Sequence, residues 1–265
     1  MKIGFFDSGL GGLVVLKAVA KILPDYDYEF YGDTANLPYG DKTEAEIYEL
    51  TKAGVLHLFK RDCVLVILAC NTASAETLRR LQDEWLHTVY PKRRILGVII
   101  PMIEAVVESK ALAVLLIATK RTIDSQKYNR ELAKFTHTLS LDTKATPELV
   151  PLIEAGNLAG AIEILRPIIE SFLVSGGFAV ILGCTHYALL KPALLEIFGE
   201  QLTIFSPTEI IPEKLAQYLE RHTELTEQLS RGSTRSIFVT EPSLHYDSII
   251  GDLLGGHFMV DADNS

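Results

Sequence analysis

Two cysteines carry the most suggestive chemistry in this sequence, because each stands at the same point of a repeated pattern. Val66-Ile67-Leu68-Ala69-Cys70-Asn71-Thr72 returns as Val180-Ile181-Leu182-Gly183-Cys184-Thr185-His186, 114 residues later. Each copy runs through an apolar stretch and a small residue to cysteine and two polar residues. A second pair lies upstream: Ile3–Phe6 leads into Asp7-Ser8, and Val114–Ala118 leads into Thr119, 112 residues after Asp7. Two matched pairs at nearly one offset predict two similar halves. In open α/β sheets, ligands bind beyond the carboxyl ends of the strands. Halves facing each other would therefore set Cys70 and Cys184 on opposite sides of one ligand. That geometry suits inversion of a carbon stereocentre. A thiolate takes a proton from one face, a thiol returns one to the other, and the roles exchange in the reverse reaction.

Each of these residues also has a plainer role to weigh. A strand-end cysteine is more often buried core than catalyst, and Cys63, alone at its strand start, keeps that reading. The repeated context sets Cys70 and Cys184 apart. No CxxC or HxxxH spacing supplies a zinc site, and no metal is expected. Cys70 precedes a clean helical pattern, so free N–H groups and the helix dipole would favour its thiolate. The helix after Cys184 is not expected before Lys191-Pro192, since proline is best placed in a first turn. His186 would then serve Cys184 as proton relay, or be a hydrogen-bonded structural histidine. Asp7 reads as an N-cap or as a carboxylate that meets an ammonium or assists a thiol. In Asp7-Ser8-Gly9-Leu10-Gly11-Gly12, Val14 stands where a dinucleotide fingerprint starting at Gly9 needs its third glycine, and no P-loop occurs. The glycines are expected to let the backbone approach a small polar ligand. Leu37-Pro38-Tyr39-Gly40 is a turn signature, with Tyr39 as a hydrogen-bonding wall.

The elements that must position these residues alternate in the manner of βαβ units, which predicts an α/β fold with mainly parallel sheets. Strands are expected at Lys2–Phe6, Tyr28–Tyr31, Val64–Ala69, Ile95–Ile99, Ala113–Ala118 and Ala179–Leu182. Helices are expected over Leu13–Ile22, Thr43–Lys60, Ala73–His87 and Leu158–Leu173, and a helix end with a surface loop over His222–Ser236. The 265 residues suffice for two domains, and 48% apolar with 22% charged residues argues against disorder. Against 34 acids stand 25 Lys and Arg, a net charge of −9, so no nucleic-acid partner is expected. No apolar run approaches the roughly 18 to 20 residues of a membrane span. Asp7 interrupts what a signal peptide would continue, and three cysteines make no disulfide framework. A cytoplasmic protein is expected.

Four blocks together resemble the signature of the glutamate racemase family: Phe6-Asp7-Ser8-Gly9-Leu10-Gly11-Gly12, Pro38-Tyr39-Gly40, Ala69-Cys70-Asn71-Thr72-Ala73-Ser74-Ala75 and Gly183-Cys184-Thr185-His186-Tyr187. They follow the family's order over about the first 200 residues. The resemblance implies a cofactor-independent racemase with two pseudo-symmetric domains and the active site in the cleft between them, supplying D-glutamate for peptidoglycan. By that match Cys70 and Cys184 are the proton carriers, with Asp7 assisting the first and His186 the second. Ser8, Pro38, Tyr39, Gly40, Asn71, Thr72, Thr122 and Thr185 match substrate-binding positions, together with Asp7 and His186, and Glu154 matches an acid near the histidine. The domains implied are 1–94 with 208–265, and 95–207; a homodimer is the expected assembly. Arg121 stands where the family usually has glycine, and Val98-Ile99-Ile100-Pro101-Met102 lacks its usual acid and glycine. The rival readings are an aspartate or related acidic amino-acid racemase, a weakly active amino-acid-binding relative with a regulatory role, and a Cys–His thiol hydrolase. The last leaves the second cysteine unexplained.

Overall fold

Side chains alternate across a strand, so a run that is apolar at every position can be buried only if both faces of its sheet are covered. The computed structural model, which describes residues 1–241 and the backbone of 259–261, has that form twice over. Its first stretch contains β1 (Lys2–Asp7), α1 (Gly12–Ile22), β2 (Tyr28–Gly32), α2 (Glu44–Lys60), β3 (Cys63–Leu68), α3 (Asn71–Arg80), α4 (His87–Val89) and β4 (Arg94–Gly97). Next come α5 (Ile99–Glu108), β5 (Ala113–Ala118), α6 (Lys120–Asp124), α7 (Lys127–Leu132), β6 (Ser140–Ala145), α8 (Leu149–Glu154), α9 (Leu158–Val174), β7 (Ala179–Gly183), α10 (Lys191–Phe198) and β8 (Thr203–Phe205). The chain continues through α11 (Pro207–Arg221), α12 (Thr223–Thr226), β9 (Arg235–Val239) and β10 (Met259–Asp261).

All described strand pairings are parallel. One sheet has the order β10-β9-β2-β1-β3-β4 and the other β6-β5-β7-β8. The second order repeats the first four strands of the chain, so β3 and β7 occupy equivalent places, as do β1 and β5. Here the sequence echo becomes architecture. On β1, Ile3 and Phe5 enter a core with Leu13 and Leu16 of α1, while Phe6 faces Val55 and Leu58 of α2. On β5, Leu115 and Ile117 pack with Leu165 and Ile169 of α9, and Val114 and Leu116 with Met102 and Ile103 of α5. Ile211, Leu215 and Leu219 of α11 return to the core of the first sheet.

Several sequence expectations shift. Ile95 and Leu96 ladder with Val66 and Ile67, so the first sheet runs through Gly97, past the expected division at 94. Ile99 does not extend that strand but opens α5, whose first turn accommodates Pro101. The helix expected over Ala73–His87 is α3 followed by a wider π-helical turn over Leu81–Leu86 and then α4. Arg235 and Ser236, expected in a loop, begin β9 alongside β2. Among the described residues no helix is long and apolar enough to cross a membrane.

Candidate active site

With every strand parallel, the carboxyl ends of β1 and β3 and those of β5 and β7 deliver Asp7, Cys70, Thr119 and Cys184. The two sheets present these ends to each other. Thr185 donates its hydroxyl to Asp7 Oδ1 at 3.3 Å across the junction. Thr72 Oγ1 lies 3.0 Å from Thr119 Oγ1 and 3.3 Å from Thr122 Oγ1, and Thr119 donates to Thr122 at 3.0 Å, a triangle of hydroxyls joining the starts of α3 and α6. Between the halves lies a cavity of about 280 Å³. Ser8, Pro38, Tyr39, Gly40, Cys70, Asn71, Thr72, Glu154, Cys184, Thr185 and His186 all line it.

Cys70 is the N-cap of α3, as its sequence context predicts. Its Sγ accepts the Ala73 N–H at 3.4 Å and lies 3.3 Å from Ser8 Oγ. The helix start does not decide its ionisation. Burial pushes the thiol up to about 12, and the charge of Asp7 adds to it, against the bonds from Ser8 and Ala73. Asp7 is fully buried beneath the cavity, where it accepts the Gly9 N–H at 3.1 Å. Burial raises its carboxyl as well, opposed by the charge of His186 and the N–H groups of Gly9 and Gly12. Cys184 has a different setting. A short 3-10 turn over His186–Leu190 separates it from α10, and its Sγ lies 3.8 Å from His186 Nδ1. His186 Nε2 meets Glu154 Oε1 at 3.1 Å. Burial works against a charged ring, but the contacts with Cys184 and Glu154 and the charge of Asp7 outweigh it and hold His186 up to about 10.

Some expected site residues serve at one remove. Asp7 and Thr122 do not line the cavity: Asp7 holds Thr185 from below, and Thr122 backs Thr72 and Thr119. The Tyr39 phenol donates to Asp33 Oδ2 at 2.6 Å, so Tyr39 serves as a braced wall of the cavity. The glycines also act differently from the expected close approach to a ligand. A Cβ on Gly11 would stand 2.5 Å from Thr185 Oγ1 and 2.7 Å from His186 Nδ1. Gly11 therefore makes room for the second half of the chain, and of this loop only Ser8 reaches the cavity wall. Sequence reasoning passed over Thr119, Lys120, Pro147 and Pro151, which also line the cavity, and Tyr128, whose phenol donates to Asn71 Oδ1 at 2.8 Å. Thr119 had a usable signal, since it directly follows the apolar run of β5 as Asp7 follows that of β1.

The sequence profile described as Asp/Glu/hydantoin racemase matches residues 14–215, which include both cysteines. The chain belongs to that family. Within this racemase family it is 40% identical over 253 residues to the glutamate racemase of Ruegeria pomeroyi, covering 91% of each chain. Among solved racemases, a glutamate racemase isoform from Bacillus anthracis superposes with TM-score 0.85 at 28% identity, covering 99% of this chain and 97% of that one. The Francisella tularensis glutamate racemase, solved in complex with D-glutamate, gives TM-score 0.85 at 26% identity with the same coverage. The racemase fold expected from the sequence is thus the fold observed.

Proposed function

We propose that this protein interconverts L- and D-glutamate by moving the α-proton between two thiols, Cys70 and Cys184. The observation that carries the reading is that equivalent strands, β3 and β7, are each followed by a cysteine, and both cysteines line one cavity. In one direction a thiolate takes the α-hydrogen as a proton, and the C–H electron pair delocalises into the α-carboxylate. The S–H of the other cysteine then delivers its proton to the opposite face. The first sulfur is left as thiol and the second as thiolate, ready for the reverse direction. An entering amino acid brings an ammonium, whose charge favours the thiolate that burial disfavours. Donors on Ser8, Asn71 and Thr72 are available to the two carboxylates. Analogues without the side-chain carboxylate leave such donors unpaired and are rejected.

The same proposal makes the product D-glutamate for peptidoglycan, with no cofactor, in a cytoplasmic homodimer of two-domain chains that divide near residue 94 and return to the first domain near residue 208. Three unbridged cysteines suit a reducing compartment. The test is racemisation in D₂O, following chirality and α-deuteration together. Inverted product should carry deuterium from its first appearance, while recovered substrate carries little. Failure to racemise glutamate, or faster turnover of aspartate, rejects the substrate. Exchange without inversion rejects the two-thiol route.

A further inference from the structure

Arg121 is absent from the cavity lining, and its side chain turns to α3. Its Nη2 donates to Glu76 Oε2 at 3.2 Å, and its Nε approaches Glu76 Oε1 at 2.9 Å, an ion contact outside hydrogen-bond geometry. Glu76 is 7% exposed and Arg121 29%, so solvent screens this pair less than a surface one. Its position in the fold gives it meaning. Glu76 lies one helical turn beyond Thr72 on the helix capped by Cys70, and Arg121 lies in the first turn of the helix capped by Thr119. The hydroxyl triangle and the ion pair therefore tie the same two helices, one from each sheet, at successive levels below the cavity. Burial raises the Glu76 carboxyl, and the Arg121 charge opposes that rise, so the carboxylate depends on its partner across the junction. Cys70 and Cys184 are only 5% and 6% exposed, deep in the cavity between the halves, so their access to solvent depends on how firmly the halves are held together.

We propose that Arg121 and Glu76 form a clamp that holds the two halves closed around the substrate, making both of them positioning residues for the proton transfer. The proposal rests on the racemase reading for its kinetic consequence but not for its structural one. Loss of the pair weakens closure, which every bound state shares, so it acts as a loss of uniform binding and raises KM while sparing kcat. In Arg121→Gln, KM should rise about 3- to 10-fold for both enantiomers with kcat within about twofold. Alkylation of Cys70 and Cys184 by iodoacetamide, followed by mass spectrometry of the two peptides, should accelerate by a similar factor. Arg121→Lys should stay near wild type in both readouts, and the exchange Glu76→Arg with Arg121→Glu should recover most of what either single change loses. Circular dichroism establishes folding of each variant; if the exchanged protein does not fold, Arg121→Lys decides. An Arg121→Gln protein with wild-type KM or wild-type alkylation rate overturns the clamp, as does an Arg121→Lys protein that behaves like Arg121→Gln. A wild type that does not racemise glutamate rejects the function alone, and the alkylation rates then still decide the clamp.

Discussion

Adding one methyl group at Gly11 should disable the site without unfolding the protein. Ordinary van der Waals contact begins near 3.4 Å, so an alanine Cβ at 2.5 Å from Thr185 Oγ1 and 2.7 Å from His186 Nδ1 is short by about 0.9 and 0.7 Å. The Thr185 hydroxyl can rotate, but only by giving up its 3.3 Å bond to Asp7. The His186 ring has less freedom, because Glu154 holds its far nitrogen and Cys184 stands on its near side. Relief must therefore come from movement of the segment carrying Cys184, Thr185 and His186, or of the loop carrying Ser8. Overpacking of this kind costs about 1–3 kcal/mol in stability. A misplacement of about 1 Å in a catalytic constellation costs about 10²-fold in rate. Gly11→Ala should then lower kcat about 100-fold in both directions, while melting falls by only a few degrees. The control is Gly176→Ala. Gly176 has φ +90° and open space around it, and it precedes β7 at the end remote from Cys184, so alanine there strains the backbone and lowers stability while leaving kcat intact. Racemisation followed by circular dichroism, with thermal melts, separates the two. A Gly11→Ala enzyme with wild-type kcat, or a Gly176→Ala enzyme that loses activity equally, refutes the packing argument.

Cys70→Ser and Cys184→Ser should each nearly abolish racemisation while still eliminating HX from one enantiomer of an analogue with a good leaving group, since elimination needs a single proton abstraction; a Cys184→Ser enzyme at wild-type rate ends the two-thiol reading. His186 titrates higher in the fold, near 10, than in the unfolded chain, near 6.5. Its stabilising contribution is therefore complete below pH 6.5 and is lost as pH rises towards 10, and the melting difference between wild type and His186→Asn should shrink across that window. Glu154→Gln removes one support of the charged ring, so the same loss should begin at lower pH; melts of Glu154→Gln that track wild type from pH 6 to 10 contradict this.

The central strands were legible because burial on both sheet faces leaves unbroken apolar runs, and β5 matches its expected bounds residue for residue. The echo around Cys70 and Cys184 was legible for a related reason: equivalent strands in equivalent places call for the same small residue and the same turn. The edges were not. Ser140–Ala145 has hardly an apolar run, because β6 is an edge strand with exposed alternate residues, and β8 spans only three residues. Ile99 read as strand because a short apolar run does not show its period, and packing of Ile99 and Ile103 against β5 and β7 decided for helix. Within the site, strand-end residues stood out by position. Thr72 with Thr119 and Glu76 with Arg121 meet only after two sheets dock, and separations of 47 and 45 residues leave no local trace.

The unlike settings of the two sulfurs, Ser8 and Asp7 beside one and a charged His186 backed by Glu154 beside the other, meet a constraint from outside the protein. L- and D-glutamate are mirror images and have identical free energies in water, so their equilibrium constant is one whatever the enzyme does. The Haldane relation then makes kcat/KM equal in the two directions for the wild type and for every variant. Asymmetry between the flanks cannot favour either enantiomer as product. It can only decide which bound form lies lower, and so divide the same ratio differently between kcat and KM. A substitution at Asp7 or His186 that changes kcat unequally in the two directions must change the two KM values in the same proportion.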